Sequence, residues 1–101
     1  MNGRKPTAEE KKWMEQVVQF GCIVCLVHME VQTPCEIHHI NGSVDPGAHL
    51  ETIGLCFHHH RDGVDCEKYT SRHPHKARFE ERYETEEFLL ELTQEMVKKY
   101  A

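Results

Sequence analysis

Apolar residues gather near the two ends of the chain at helical spacing, while the stretch between them follows no long period. Trp13, Met14, Val17, Val18 and Phe20 form a stripe that predicts a first helix running to about Phe20 and packing into a core. Thr7, with Glu10 three residues later and Pro6 just before, has the spacing of a capping box, and Gly21 suits the residue just past the helix end. Phe88, Leu89, Leu92, Met96 and Val97 repeat in the same way over a last helix, about 86–99, with Thr85 as its N-cap. The two stripes are expected to pack on each other. Between them the elements are short. Cys22-Ile23-Val24-Cys25 reads as a turn, residues 27–33 are ambiguous between a short strand and a turn, and Pro34 breaks any continuation. Residues 35–40 and 52–56 read as strands, joined by a loop rich in turn residues, Asn41-Gly42-Ser43 and Asp45-Pro46-Gly47. A helical turn carrying His58, His59 and His60 should follow, closed by Asp62-Gly63. Residues 64–73 then read as loop, and Pro74 is placed in the first turn of a helix over 74–83.

A chain of 101 residues is one domain, 1–101, with residues 1–6 as a loose lead-in. Such a domain has a thin core. Its middle, residues 22–75, holds all five Cys and all nine His but few large apolar residues, so a metal staple is a sensible substitute for core. The polar N-terminus lacks the apolar stretch of a secretory signal, and no run approaches the roughly 18 apolar residues of a membrane span. The expected setting is therefore the reducing cytoplasm, where paired Cys read as metal ligands before disulfides. The odd number of Cys also argues against full pairing.

The Cys22/Cys25 pair and the Cys56/His59 pair have the spacing of a closed structural zinc site, separated by a hairpin. His58, Cys66 and Cys35 are the alternative fourth ligands; Cys35, within a strand, fits a small buried residue better. The adjacent His38 and His39 point to opposite faces of their strand. One can bind a metal while its neighbour stays free to act as a base. His60 directly follows the zinc ligand His59, so the zinc would fix its position beside the histidine pair. A third ligand could return from the loop as His73 or His75. His28 and His49 read as background.

Such a constellation suits phosphodiester hydrolysis. A divalent ion polarises the phosphate, and a neutral imidazole takes the proton of the attacking water. The net charge of −5 is unusual for a nucleic-acid protein, so contact must come from a local field. Arg61, Lys68, Arg72, Lys76, Arg78 and Arg82 are the candidate basic groups, and much of the acid lies in Glu84, Glu86, Glu87, Glu91 and Glu95.

On C-x2-C at 22–25, Ile37-His38-His39-Ile40, and Leu55-Cys56-Phe57-His58-His59-His60-Arg61, the chain resembles HNH nucleases of the ββα-metal class in their zinc-bearing form. With Ile53-Gly54 ahead of that run and the Phe79-Glu80…Tyr83 helix, it more closely resembles the phage Ref-type, RecA-dependent recombination enhancement nucleases, over about residues 20–84. The resemblance implies an α+β fold: a small ββα-metal core with structural zinc, clasped by N- and C-terminal helices. It implies His38 and His60 as ligands of a catalytic ion, Mg2+, Mn2+ or Zn2+, with His73 the preferred late ligand. It further implies His39 as general base, phosphate contacts from Arg61 and around Arg78, and DNA and a RecA filament as partners in a host-cell cytoplasm. Two departures stand out. Glu51 occupies the position of the usual orienting Asn, and of the basic N-terminal extension only Arg4, Lys5, Lys11 and Lys12 are present, interleaved with Glu9 and Glu10. The competing reading is a zinc-stapled binding module without catalysis. An RNA-directed nuclease is the third, disfavoured because Phe57 and Tyr69 are the only stacking aromatics near the site.

Overall fold

A computed structural model describes residues 5–42 and 47–100. Ser43, Asp45 and Pro46 of the expected turn, and Arg4 with most of the lead-in, lie outside the described residues. The elements run α1 (Ala8–Phe20), α2 (Ile23–His28), β1 (Glu36–His39), a 3-10 turn (Ala48–Leu50), β2 (Thr52–Leu55), α3 (Phe57–His60), α4 (Lys76–Tyr83) and α5 (Glu86–Tyr100). The result is a small α+β domain with one two-stranded antiparallel sheet.

The expected capping box starts α1: Glu10 N–H donates to Thr7 Oγ1 at 3.2 Å, and Thr7 N–H donates to Glu10 Oε1 at 2.8 Å. Gly21 ends the helix at φ 86°, donating to the Val17 carbonyl. A side chain there would also drive a Cβ to 2.2 Å from the Thr33 carbonyl oxygen, so both conformation and space require glycine. The predicted α1 stripe is only partly core. Val17 is fully buried, but Val18 is 49% exposed. The reason is geometric: Val18 is one residue, about 100° of helix, from Val17. Phe88 of α5 is likewise exposed, next to the buried Leu89.

Two boundaries differ from the sequence expectation. Cys22-x2-Cys25 is no simple turn: Cys22 is the N-cap of α2, and its sulfur accepts the Cys25 N–H at 3.4 Å. Residues 27–33 hold no strand. Helix α4 begins at Lys76 rather than at Pro74, which lies in the turn preceding it. Thr85 caps α5 as expected, accepting the Phe88 N–H at 3.1 Å.

The sheet pairs Glu36 with Leu55, Ile37 with Gly54, His38 with Ile53 and His39 with Thr52. Its period of two sends Glu36 and His38 to one face and Ile37 and His39 to the other. Gly54 lets α1's end approach: a Cβ there would lie 2.5 Å from the Gly21 carbonyl oxygen and 2.6 Å from Cys35 Sγ. The core gathers Ile23, Val24, Ile53, Leu55, Phe79, Tyr83 and Leu89 around the cysteines. Helix α5 packs against β2, α1 and α2. Among the described residues no helix is long and apolar enough to cross a membrane.

Candidate metal centres

Four buried donors converge where α2 meets the start of α3. Cys22 and Cys25 come from the first turn of α2, Cys56 caps α3 and His59 lies one turn along it. His59 Nδ1 lies 3.7 Å from Cys22 Sγ, 3.6 Å from Cys25 Sγ and 3.2 Å from Cys56 Sγ, and the Cys25 and Cys56 sulfurs are 3.8 Å apart. Tetrahedral zinc with Zn–S bonds near 2.3 Å separates its sulfurs by about 3.8 Å and sulfur from nitrogen by slightly less. The donor set therefore fits zinc in both chemistry and spacing.

The hydrogen bond between Cys56 and Cys22, helped by His59, drives the Cys56 thiol down; that same bond, and then burial, pushes the Cys22 thiol up, and burial pushes the Cys25 thiol up. A zinc ion bound there would hold all three sulfurs as thiolates. His59 Nε2 has no polar partner and is enclosed by Tyr69 and Tyr83, each ring edge-on at 5.0 Å. Cys35 and Cys66 lie outside the cluster. Cys35 is half-buried with its thiol pushed up to about 11 by burial, and Cys66 is exposed.

A second cluster lies on the Glu36/His38 face of the sheet. His38, His60 and His73 form a triangle of rings with centroids 5.1, 5.3 and 5.2 Å apart, and each offers a ligand nitrogen within 4.8 Å of the others. His38 is buried on β1, His60 ends α3, and His73 is exposed. His73 arrives because residues 71–73 run along the last carbonyls of α3, which a helix end leaves without partners. Ser71 Oγ donates to the His58 carbonyl at 2.6 Å, Arg72 N–H to His59 at 2.8 Å and His73 N–H to His60 at 2.9 Å. His75 turns away, its Nε2 at 3.2 Å from the Gly63 carbonyl. Of the two late candidates, the structure brings His73 into the cluster.

Carboxylates hold two of the three rings from behind. His60 Nδ1 lies 2.7 Å from Glu36 Oε1, leaving Nε2 for an ion, and His38 Nε2 lies 2.7 Å from Glu86 Oε1, leaving Nδ1. A carboxylate on the outer nitrogen fixes a ligand imidazole's tautomer and direction. Glu36 shares the His38 face of β1 by strand periodicity. The guanidinium of Arg61, and then His60, hold its carboxyl down to about 2. Glu86 is fully buried at the start of α5. Burial would raise its carboxyl, but hydrogen bonds from His38 and Arg72 outweigh that and keep it below the ordinary range. Burial is also the main reason that His60 and His73 are held below the usual imidazole value, so both favour the neutral, metal-binding form. Sequence reasoning counted Glu86 among the outlying acids. The contact joins residues 48 positions apart, and no local pattern announces it.

His39 lies on the opposite face, half-buried, with its Nε2 2.9 Å from His49 Nδ1. Burial first, then the neighbouring His49 and His38, lowers its pKa. Glu51 does not reach it; the Glu51 carboxylate faces Asn41 at 3.4 Å. His49, expected to be background, is thus a direct neighbour of the candidate base, while His28 is a packing residue near the Tyr83 carbonyl.

The basic residues are largely occupied. Arg61 clamps Glu36 through Nε at 2.9 Å and Nη2 at 2.7 Å and lies over the Phe57 ring. Arg78 meets Glu81 at 2.8 Å and Asp65 at 3.4 Å. Arg72 pairs with Glu86, and Arg82 ties the 66–70 loop through the Cys66 and Glu67 carbonyls and Thr70. Arg72 and Arg82, expected at a nucleic-acid surface, build the scaffold instead. Arg61 and Arg78 remain about half exposed.

The fold and the two clusters define a small α+β protein able to hold metal at two places. Residues 6–98 match the family described as recombination enhancement, RecA-dependent nuclease, and the chain belongs to that family. It is therefore a nuclease, an enzyme acting on phosphodiester bonds, with its role in recombination.

Proposed function

We propose that this chain is a metal-dependent DNA endonuclease of the HNH, ββα-metal type, in which a structural zinc on Cys22, Cys25, Cys56 and His59 fixes the frame of an open catalytic site. The observation that carries the reading is the His38/His60/His73 triangle, backed by Glu36 and Glu86 and standing on β1–β2–α3. A divalent ion bound there, Mg2+ or Mn2+ for preference, would polarise the scissile phosphate and stabilise the departing 3′-oxygen. His39, neutral near pH 7, takes the proton from the attacking water. Its place across the strand from His38 keeps it from being captured as a further ligand. Arg61 and Arg78 offer their exposed edges to flanking phosphates.

The net charge of −5 and the paired arginines point to weak autonomous DNA binding. Delivery of the strand by a RecA filament accords with that weakness and with the family; the setting we propose is the cytoplasm of a host cell, with a phage or prophage origin for the chain. The experiment is nicking of plasmid and of RecA-coated DNA with Mg2+ or Mn2+, with and without chelator. His39→Ala is expected to keep zinc and fold and to abolish cleavage. Undiminished cutting by that variant would remove His39 as base. No cutting of any DNA by the wild type, with RecA or without, would leave a zinc-stapled binding module.

A further inference from the structure

We infer that His49 is the positioning residue for His39, fixing which of its ring nitrogens is free to act as the base; this rests on the reading of His39 above. Nδ1 of His49 and Nε2 of His39 are 2.9 Å apart, with the rings at 77° and centroids 5.0 Å apart. At that distance the two nitrogens share one proton: one ring donates and the other accepts. If His39 donates from Nε2, its Nδ1 keeps a lone pair and can receive the proton of water. If His49 donates, the His39 Nε2 lone pair is occupied and its own proton sits on Nδ1, leaving no basic nitrogen. The acceptor role for His49 is the one compatible with base catalysis.

The placement of His49 is built into the fold. It is 6% exposed, on the 3-10 turn Ala48–Leu50. Its backbone carbonyl accepts from Thr52 Oγ1 at 3.1 Å, and Thr52 Oγ1 in turn accepts from Trp13 Nε1 at 3.0 Å. Thr52 is the cross-strand partner of His39. Helix α1 and the sheet thus clamp the turn from which His49 reaches the other histidine. An imidazole acceptor performs this without the negative charge that a carboxylate such as Glu51 would add.

The test reads the tautomer and the rate separately, on the zinc-loaded full chain. Long-range proton–nitrogen NMR of 15N-histidine protein should find His39 protonated on Nε2 alone in the wild type, and a mixture of both tautomers in His49→Leu. In plasmid nicking, His49→Leu should lose about 10²-fold in kcat with KM unchanged. His49→Asn, whose side-chain oxygen can accept, should recover most of that loss and serves equally if the leucine variant folds poorly. An unchanged His39 tautomer, or a loss confined to KM, overturns the proposal. The Nε2–H tautomer in the wild type together with undiminished cutting by His39→Ala would instead overturn the base assignment of His39, leaving the His49 contact intact.

Discussion

The two histidine-bearing clusters sit one residue apart on α3, at His59 and His60, yet they are built in opposite ways. The sulfur-rich one is closed: its four donors are buried, drawn from two helix starts and separated by the edges of a zinc tetrahedron. The imidazole one is open, because His73 is exposed and, among the described residues, three protein donors meet there. The closed centre would set three thiolates and one imidazole around a single ion. The open centre uses imidazoles, two of them held from behind by Glu36 and Glu86. A saturated shell suits structure, whereas an unsaturated one leaves room for water and phosphate.

That contrast predicts unequal consequences of removing ligands. Cys22→Ser should have the largest effect, eliminating bound zinc and the cooperative thermal transition, as circular dichroism and elemental analysis would register. Structural zinc contributes on the order of 10 kcal/mol of folding free energy, more than a domain of this size can lose. His60→Ala should keep one zinc and the melt nearly intact while cleavage with Mn2+ falls about 10³-fold or more. A variant that lost zinc as well would join the two clusters into one unit. Glu86→Gln should be milder: about 10–100-fold in the Mn2+ concentration needed for cleavage, with a lowered melting temperature because Arg72 loses its buried partner. At the small end, Cys66→Ser should leave zinc content, stability and rate unchanged.

The open centre also sets a pH dependence. His39, His60 and His73 all lie below their ordinary value of about 6.5. On acidification the unfolded chain takes up protons on these rings first, so stability falls as pH drops below about 6.5 and until the folded values are passed. Cleavage should stay flat from pH 8 to about 6.5 and decline only on the acid side of that value. A rate profile already falling above pH 7 would contradict the lowered values of His39, His60 and His73.

The closed centre was readable in the chain because its ligands come in two short spacings, each a local structure. The hairpin, the His38/His39 alternation and both caps, Thr7 and Thr85, were readable for the same reason. What escaped was non-local. Glu86 reaches His38 only because α5 folds back over the sheet, and His49 reaches His39 only because Trp13 and Thr52 pin the intervening turn. The apolar stripes overstated the core at Val18 and Phe88, since a thin domain buries a narrower arc of each helix than periodicity counts. Arg72 and Arg82 looked like a DNA surface because charge alone does not tell a solvated cation from one spent on loop carbonyls or a buried carboxylate.

Two centres with separate duties are most directly tested by anomalous scattering from crystals of the zinc-loaded protein soaked in Mn2+. Zinc signal among Cys22, Cys25, Cys56 and His59, and manganese signal among His38, His60 and His73, is the predicted result. Bare imidazoles at a Mn2+ concentration that supports full cleavage would contradict it.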